Sequence, residues 1–335
     1  MNIYDIAEKA GVSVATVSRV INNSANVSAK NRSKVMEIIN QEKYVPNIFA
    51  RNLNSTASKT IGILCPIISD INHVKPVSIL EHLLRDAGYD ILLCCTDSVS
   101  ENKTKSLNLL HNRRVDAIIL IGSTVEELTN YEHFVPIAAE IPIVIINGLV
   151  ELDNIYCILS DEREAVKELV RTLHDYGCRR ILYLNDTCSF SGYQKIRGYR
   201  EGLVQCGLPD DGELILQIPE AEDELEPSRQ MIQELLDTGI AFDALIAADD
   251  ILAVGAQKAL QSRKIDIPIV GLNNSRFSQC TTPELTSVDT NVETVCATAT
   301  QILLRVLQGE RPASRVIIST ELVLRDSFRP DHNKK

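Results

Sequence analysis

The chain has 335 residues, 44% of them hydrophobic and 24% charged, with 15 Gly, 12 Pro and a net charge of −11. This balance suits a soluble globular protein of about two or three domains and excludes fibrous, low-complexity and disordered classes. The charge is uneven: residues 1–60 hold eight basic and four acidic side chains, +4, which leaves −15 for the rest, so a basic head precedes an acidic body.

The head reads as three short helices. Residues 3–10 set Ile3, Ile6, Ala7 and Ala10 on one face at helical spacing. Gly11-Val12-Ser13 breaks the helix: Gly supplies a left-handed turn residue, and Ser13 caps the next helix. Residues 14–22 turn Val17, Val20 and Ile21 to one face and Ala15, Thr16, Ser18, Arg19 and Asn22 away from it. Ser28 caps a third helix over 29–42, with Val35, Ile38 and Ile39 inward. Two helices, a three-residue Gly turn and a polar outer face on the second helix describe a helix-turn-helix. Small contact residues, Ala7 and Ala10 against Val17, let the two helices cross closely. Val14 and Ala15 can then approach base edges, while Ser18, Arg19 and the capping residues address phosphates or bases. The competing reading is a helical docking or dimerisation module.

From Thr60 apolar runs alternate with amphipathic helices. The expected strands are 61–65, 90–95, 117–121, 143–146, 155–158, 181–184, 215–218, 244–247 and 269–271. The expected helices are 75–87, 102–112, 125–139, 162–176, 192–206, 226–238 and 250–262. Short β-branched runs joined by helices are the mark of buried parallel strands, and this series is long enough for two doubly wound α/β sheets.

The start, Met1-Asn2-Ile3-Tyr4-Asp5, is not a basic stretch followed by an apolar one, so no signal peptide is expected. Runs such as Ala117–Ile121 fall far short of the roughly 18 residues a membrane span needs. A cytoplasmic protein without membrane contact is the expectation. The nine cysteines lack CxxC spacing and read as reduced, buried thiols rather than a zinc site or a disulfide framework. His111, His133 and His174 have no partner at i+4, so neither a metal nor another cofactor is expected. No phosphate loop and no G-x-S-x-G elbow follows a strand, and Ser69, Ser189 and Ser191 are isolated, which argues against an enzyme.

Tyr4-Asp5-Ile6-Ala7-Glu8-Lys9-Ala10-Gly11-Val12-Ser13 followed by Ala15-Thr16-Val17-Ser18-Arg19-Val20-Ile21-Asn22 closely resembles the headpiece of lac-repressor family transcription regulators. The likeness runs on through Val27-Ser28-Ala29-Lys30, Arg32, Tyr44-Val45-Pro46-Asn47 and Ala50-Arg51-Asn52-Leu53. It extends into the body at Thr60-Ile61-Gly62-Ile63, Val115-Asp116-Ala117, Gly198-Tyr199-Arg200, Asp250, Leu285-Thr286 and Glu321-Leu322-Val323. The resemblance implies an α helix-turn-helix headpiece (1–46), a hinge helix and linker (47–59), and a two-lobed α/β body (60–335) like a periplasmic binding protein. The first lobe would take about 60–158 and 291–320, the second about 159–290 and 321–331. It further implies a homodimeric repressor on a pseudo-palindromic operator, contacted by Tyr4, Ser13, Val14, Ala15, Thr16, Ser18, Arg19, Asn22, Asn26, Ser28, Lys30 and Arg32. From the hinge, Asn47, Ala50 and Leu53 would join them, Leu53 as a wedge in the minor groove. Val14 and Ala15 reach a thymine methyl but make no bidentate bond, so Thr16, Arg19 and Asn26 are expected to carry more of the readout. No leucine heptads follow Arg325, so a dimer rather than a tetramer is expected.

The same resemblance places a small-molecule effector between the lobes, near Asp70, Asn72, His73, Asn147, Lys195, Arg197, Asp249 and Asn273. These positions depart from the family pattern. Asn72 and His73 stand where aromatics are common, Lys195 replaces an Arg, and Asn147 and Asn273 replace Asp. With 6 Phe, 9 Tyr and no Trp in the chain, an ordinary sugar is one candidate beside another polar metabolite or a protein co-regulator. The alternative class is a metabolite-binding or catalytic protein whose head docks a partner other than DNA.

Overall fold

The structure is a computed structural model that describes residues 2–21, 24, 26–42, 58–96, 100–185, 189–210, 212–219 and 224–330. Asn22, Asn47, Ala50 and Leu53, named above as DNA contacts, lie outside these residues, as does most of the expected hinge. The chain divides into two units, 1–58 and 59–335.

The first unit holds three helices, α1 (Ile3–Ala10), α2 (Val14–Ile21) and α3 (Ala29–Gln41). Asn2 caps α1 in a reciprocal box: its Oδ1 accepts from the Tyr4 and Asp5 amides, and Asp5 Oδ2 accepts from the Asn2 amide at 2.7 Å. Gly11 ends α1 at φ 62°, a conformation that costs a residue without Cβ little. Ile6, Ala7, Ala10, Val17, Val20 and Val35 form the buried core.

The second unit contains two six-stranded sheets. The first lobe is built on β1 (Thr60–Cys65), β2 (Asp90–Cys95), β3 (Ala117–Ile121), β4 (Ile143–Ile146), β5 (Ile155–Ser160) and β11 (Arg315–Ile318), in the order β11-β5-β4-β3-β1-β2, all parallel. The second is built on β6 (Ile181–Asn185), β7 (Ile215–Gln217), β8 (Ala244–Ala247), β9 (Ile269–Leu272), β10 (Thr286–Asp289) and β12 (Glu321–Val323). Its order is β12-β10-β9-β8-β6-β7, with only β12 antiparallel. The inner strands β3, β4, β6, β8 and β9 are buried along their whole length, as parallel strands covered on both faces by helices must be.

The covering helices are α4 (Ile71–Asp86), α5 (Ser100–Asn112), α6 (Val135–Ala138) and α11 (Val292–Leu307) in the first lobe. In the second they are α7 (Glu162–Tyr176), α8 (Phe190–Cys206), α9 (Leu225–Thr238) and α10 (Asp250–Ser262). Helices α7 and α8 pack closely: a Cβ on Gly198 would lie 2.1 Å from the Arg163 carbonyl oxygen, so only Gly fits.

Two expected helices differ. The one placed over 125–139 is two 3-10 turns, Glu126–Leu128 and Glu132–Phe134, followed by the short α6. Thr129-Asn130 interrupts it, and Pro136 serves as a first-turn residue, where its missing N–H costs nothing. The one placed over 75–87 begins at Ile71 instead. Asp70 caps it through the Asn72 amide, and Pro76 lies inside the helix.

The chain crosses between lobes three times, after β5, after β10 and after β11. These crossings are tied to one another. Ser160 Oγ donates to Thr290 O at 2.7 Å, Asn291 Nδ2 to Ser319 O at 2.6 Å, and the Asp161 amide to Ile318 O at 2.9 Å.

Candidate nucleic-acid interface and interlobe cleft

The helix-turn-helix displays a polar face. Ser13 Oγ accepts from the Thr16 amide at 3.2 Å and lies 2.9 Å from Thr16 Oγ1, which caps α2 at its N-terminus. With Val17 and Val20 buried, helical spacing leaves Ala15 and Arg19 exposed and Thr16 and Ser18 half-buried. Val14 packs partly on the core, so it offers less surface than Ala15. Tyr4, Asn26, Ser28 and Lys30 are exposed. Ser28 caps α3 through the Asn31 amide at 3.4 Å. Arg32 donates to Ser24 O and so braces the segment after α2.

In the body, polar side chains gather where the strands of both sheets end at their carboxyl sides. Parallel strands end there in loops and helix N-termini, the usual place for ligands in α/β folds. Asp70 Oδ2 lies 3.0 Å from His73 Nδ1. Burial alone pushes the Asp70 carboxyl up, but His73, the Asn72 amide and Lys195 together hold it below the usual range. From the second lobe, Asp249 caps α10 by accepting from the Ile251 amide at 2.8 Å. Asn273, at φ 86°, donates through Nδ2 to Asp249 Oδ2 at 2.8 Å. Asn72 Nδ2 of the first lobe donates to the same Oδ2. Burial raises the Asp249 carboxyl. Lys195 is 5% exposed, donates to Ala248 O at 3.0 Å and lies 3.4 Å from Glu162 Oε1.

Six of the eight expected effector residues thus converge: Asp70, Asn72, His73, Lys195, Asp249 and Asn273. Two do not. Arg197 stands two residues beyond Lys195, about 200° round the helix. It is half exposed, 3.6 Å from Glu201 and over the Tyr193 ring, and this corrects its placement in the cleft. Asn147, at φ 50°, turns its Oδ1 to the Ser160 amide at 2.8 Å and so holds the first crossing.

Sequence reasoning missed four features here. Asp250 lies behind Asp249, fully buried, and accepts from Ser287 Oγ and the Ser275 amide, both at 2.6 Å. Burial and the adjacent Asp249 carboxylate push it up to about 7. Glu162 is the buried partner of Lys195. A second lobe–lobe contact joins the Phe190 amide to Ser123 O at 2.9 Å, beside a bridge between Thr124 and Ser189. Behind it, Glu127 takes Lys103 Nζ at 2.9 and 3.0 Å and the Thr124 amide at 2.9 Å. His133 stands 3.4 Å from Glu127. An acidic residue in a three-residue 3-10 turn carries no periodic signal, so its charge partner 24 positions away is invisible before folding.

The model for bacterial regulatory proteins of the lacI family matches residues 2–47, and that for a periplasmic binding protein-like domain matches residues 170–328. An HTH-type transcriptional regulator of Lachnoclostridium phytofermentans is 41% identical over 331 residues, 97% of this chain and 98% of the relative. The HTH-type transcriptional regulator DegA of Bacillus subtilis is 31% identical, with 98% of each chain covered. Among solved structures, the lac repressor dimer bound to operator and the anti-inducer ONPF superposes with a TM-score of 0.86 at 23% identity, covering 98% of both chains, which speaks to the fold. No helix among the described residues is long and apolar enough to cross a membrane. A helix-turn-helix head on a two-lobed binding-protein body, matched end to end by such regulators, places this chain in the lacI family of bacterial regulatory proteins, which are DNA-binding transcriptional regulators.

Proposed function

We propose that the protein acts in the cytoplasm as a homodimeric repressor of a pseudo-palindromic operator, and that a small polar effector between the lobes sets its operator affinity. The observation that carries the DNA reading is the face of α2. Ala15, Thr16, Ser18 and Arg19 reach solvent from a helix whose other side is sealed by Val17 and Val20, in a head with net positive charge. Ser18 and Arg19 supply phosphate or base contacts, and Ala15 a small apolar surface for a thymine methyl. The effector reading is supported by six polar side chains from both lobes meeting at the strand ends. The two carboxylates among them, Asp70 and Asp249, accept from main-chain amides at helix N-termini, an arrangement suited to binding rather than to activating a nucleophile, and the protein is read as non-enzymatic.

The test is a fluorescence titration on a duplex that the protein itself selects from a random pool. Arg19→Ala is expected to weaken binding by roughly 1–3 kcal/mol at matched salt, with an unchanged fold by circular dichroism. Equal affinity would remove Arg19 from the reading face. A selection that enriches no duplex would favour the docking-module alternative.

A further inference from the structure

Among the described residues, two hydrogen bonds at the strand ends run from one lobe to the other. One is main chain to main chain, Phe190 N–H to Ser123 O at 2.9 Å. The other is made by side chains, Asn72 Nδ2 to Asp249 Oδ2. Asn72 is presented by a fixed turn, because its amide is held by Asp70 Oδ1 at 2.8 Å at the start of α4. Asp249 is 2% exposed, and its oxygens are met by three donors: the Ile251 amide, Asn273 Nδ2 and Asn72 Nδ2. Two of those donors belong to its own lobe. The third comes from across the cleft and is the one that a change in lobe spacing removes.

A buried carboxylate must keep its donors. Any molecule seated between the lobes at this point therefore separates Asn72 from Asp249 and has to supply the donor that Asn72 gave. We propose that Asn72 is an internal competitor at the effector cleft: it occupies Asp249 Oδ2, and an effector binds by replacing its amide with a hydroxyl or ammonium group. The proposal rests on the reading of the cleft as the effector site, and it narrows the ligand class. An acid or a phosphate ester would set negative charge against both Asp249 and Asp70. The buried cation nearby, Lys195, is already held by Ala248 O and lies against Glu162. The geometry therefore favours neutral polyols and amino sugars over sugar acids and sugar phosphates.

The test uses the full chain and reads a site that Asn72 does not touch. Phe190 N–H is itself a lobe–lobe donor, so its residue-resolved hydrogen exchange reports lobe separation. Asn72→Ala leaves the Asp70 cap in place, because that cap uses the main-chain amide. Exchange at Phe190 is expected to quicken by about tenfold or more, as loss of a hydrogen bond to a charged group implies. Exchange within about twofold of wild type would overturn the proposal. In parallel, glucose, glucosamine, mannitol and gluconate are titrated by calorimetry into both proteins at millimolar concentration. The polyol or amine that binds is expected to bind Asn72→Ala at least about tenfold more tightly than wild type. Equal affinity for the two proteins, or preferred binding of gluconate, would overturn the competition. Faster exchange at Phe190 with no probe bound by either protein would overturn the competition by polyols and amino sugars, leaving the lobe–lobe hydrogen bond established and the wider effector reading standing.

Discussion

Lys195 and Arg197 show what a position in sequence does and does not determine. Both are cations in Lys195-Ile196-Arg197-Gly198, yet one is buried against Ala248 and Glu162 while the other lies on the surface beside Glu201. Helical phase separates them, and the family-like spacing to Gly198 selects Lys195. Asp250 was hidden for a different reason: its environment is made by Ser275 and Ser287, far along the chain. Its raised value of about 7 has a definite consequence. An acid whose folded-state pKa exceeds its unfolded value of about 4 binds more protons when folded, so its contribution to stability is lost as pH rises from about 4 to about 7. In Asp250→Asn, the amide oxygen can accept from the Ser275 amide while the amide nitrogen donates to Ser287. The stability of wild type relative to this variant is expected to fall measurably, by about 1 kcal/mol or more and at most roughly 4 kcal/mol, between pH 4 and pH 7.5 in paired urea titrations. A pH-independent difference would show that Asp250 stays ionised.

At the scale of elements, periodicity located β1 to β9, because buried parallel strands are short apolar runs with little else to be, but it did not mark β10, β11 and β12, which are three or four residues long and, in β11 and β12, only partly buried. It failed at 125–138, where the chain is held by side chains rather than by a repeating face. Glu127 is fixed by Lys103, His133 and the Thr124 amide, which together hold its carboxyl below the usual range against the upward push of burial. Lys103→Met should leave that carboxylate short of a partner in a buried place and cost about 3 kcal/mol in a denaturant titration. A cost below about 1 kcal/mol would mean that His133 and the Thr124 amide suffice. The helix expected over 75–87 starts a turn earlier because Asp70 caps it through the Asn72 amide, with Pro76 inside the helix. That misplacement matters, since the extra turn carries Asn72 and His73 into the cleft. Helix packing offers a further check. Gly198→Ala would press a methyl group into the Arg163 carbonyl oxygen, a main-chain atom that cannot swing aside. A loss of about 1–3 kcal/mol in urea is expected, and a neutral outcome would show that α7 and α8 separate freely.

For the whole molecule, the two sheets and their three crossings make each lobe out of separated stretches of chain. Strand β11 returns to the first sheet and β12 to the second, after α11 has packed on the first lobe. The alternation of runs along the sequence shows that two sheets exist. It does not show which late strand joins which sheet, because that is decided by pairing between distant segments. Ser160, Thr290, Asn291 and Ser319 then tie the crossings together, so that movement of one lobe against the other passes through a few hydrogen bonds. The net charge, too, is a property of the whole molecule that its parts do not share. A total of −11 looks hostile to a polyanion, yet the first 60 residues carry +4 and hold the reading helix. Such a head binds duplex DNA by neutralising phosphates. The most direct measurement is the affinity of the full chain for its selected duplex across a series of salt concentrations. Two heads per site predict that log affinity falls with log salt at a slope of about −4 or steeper, and a slope near zero would contradict the account.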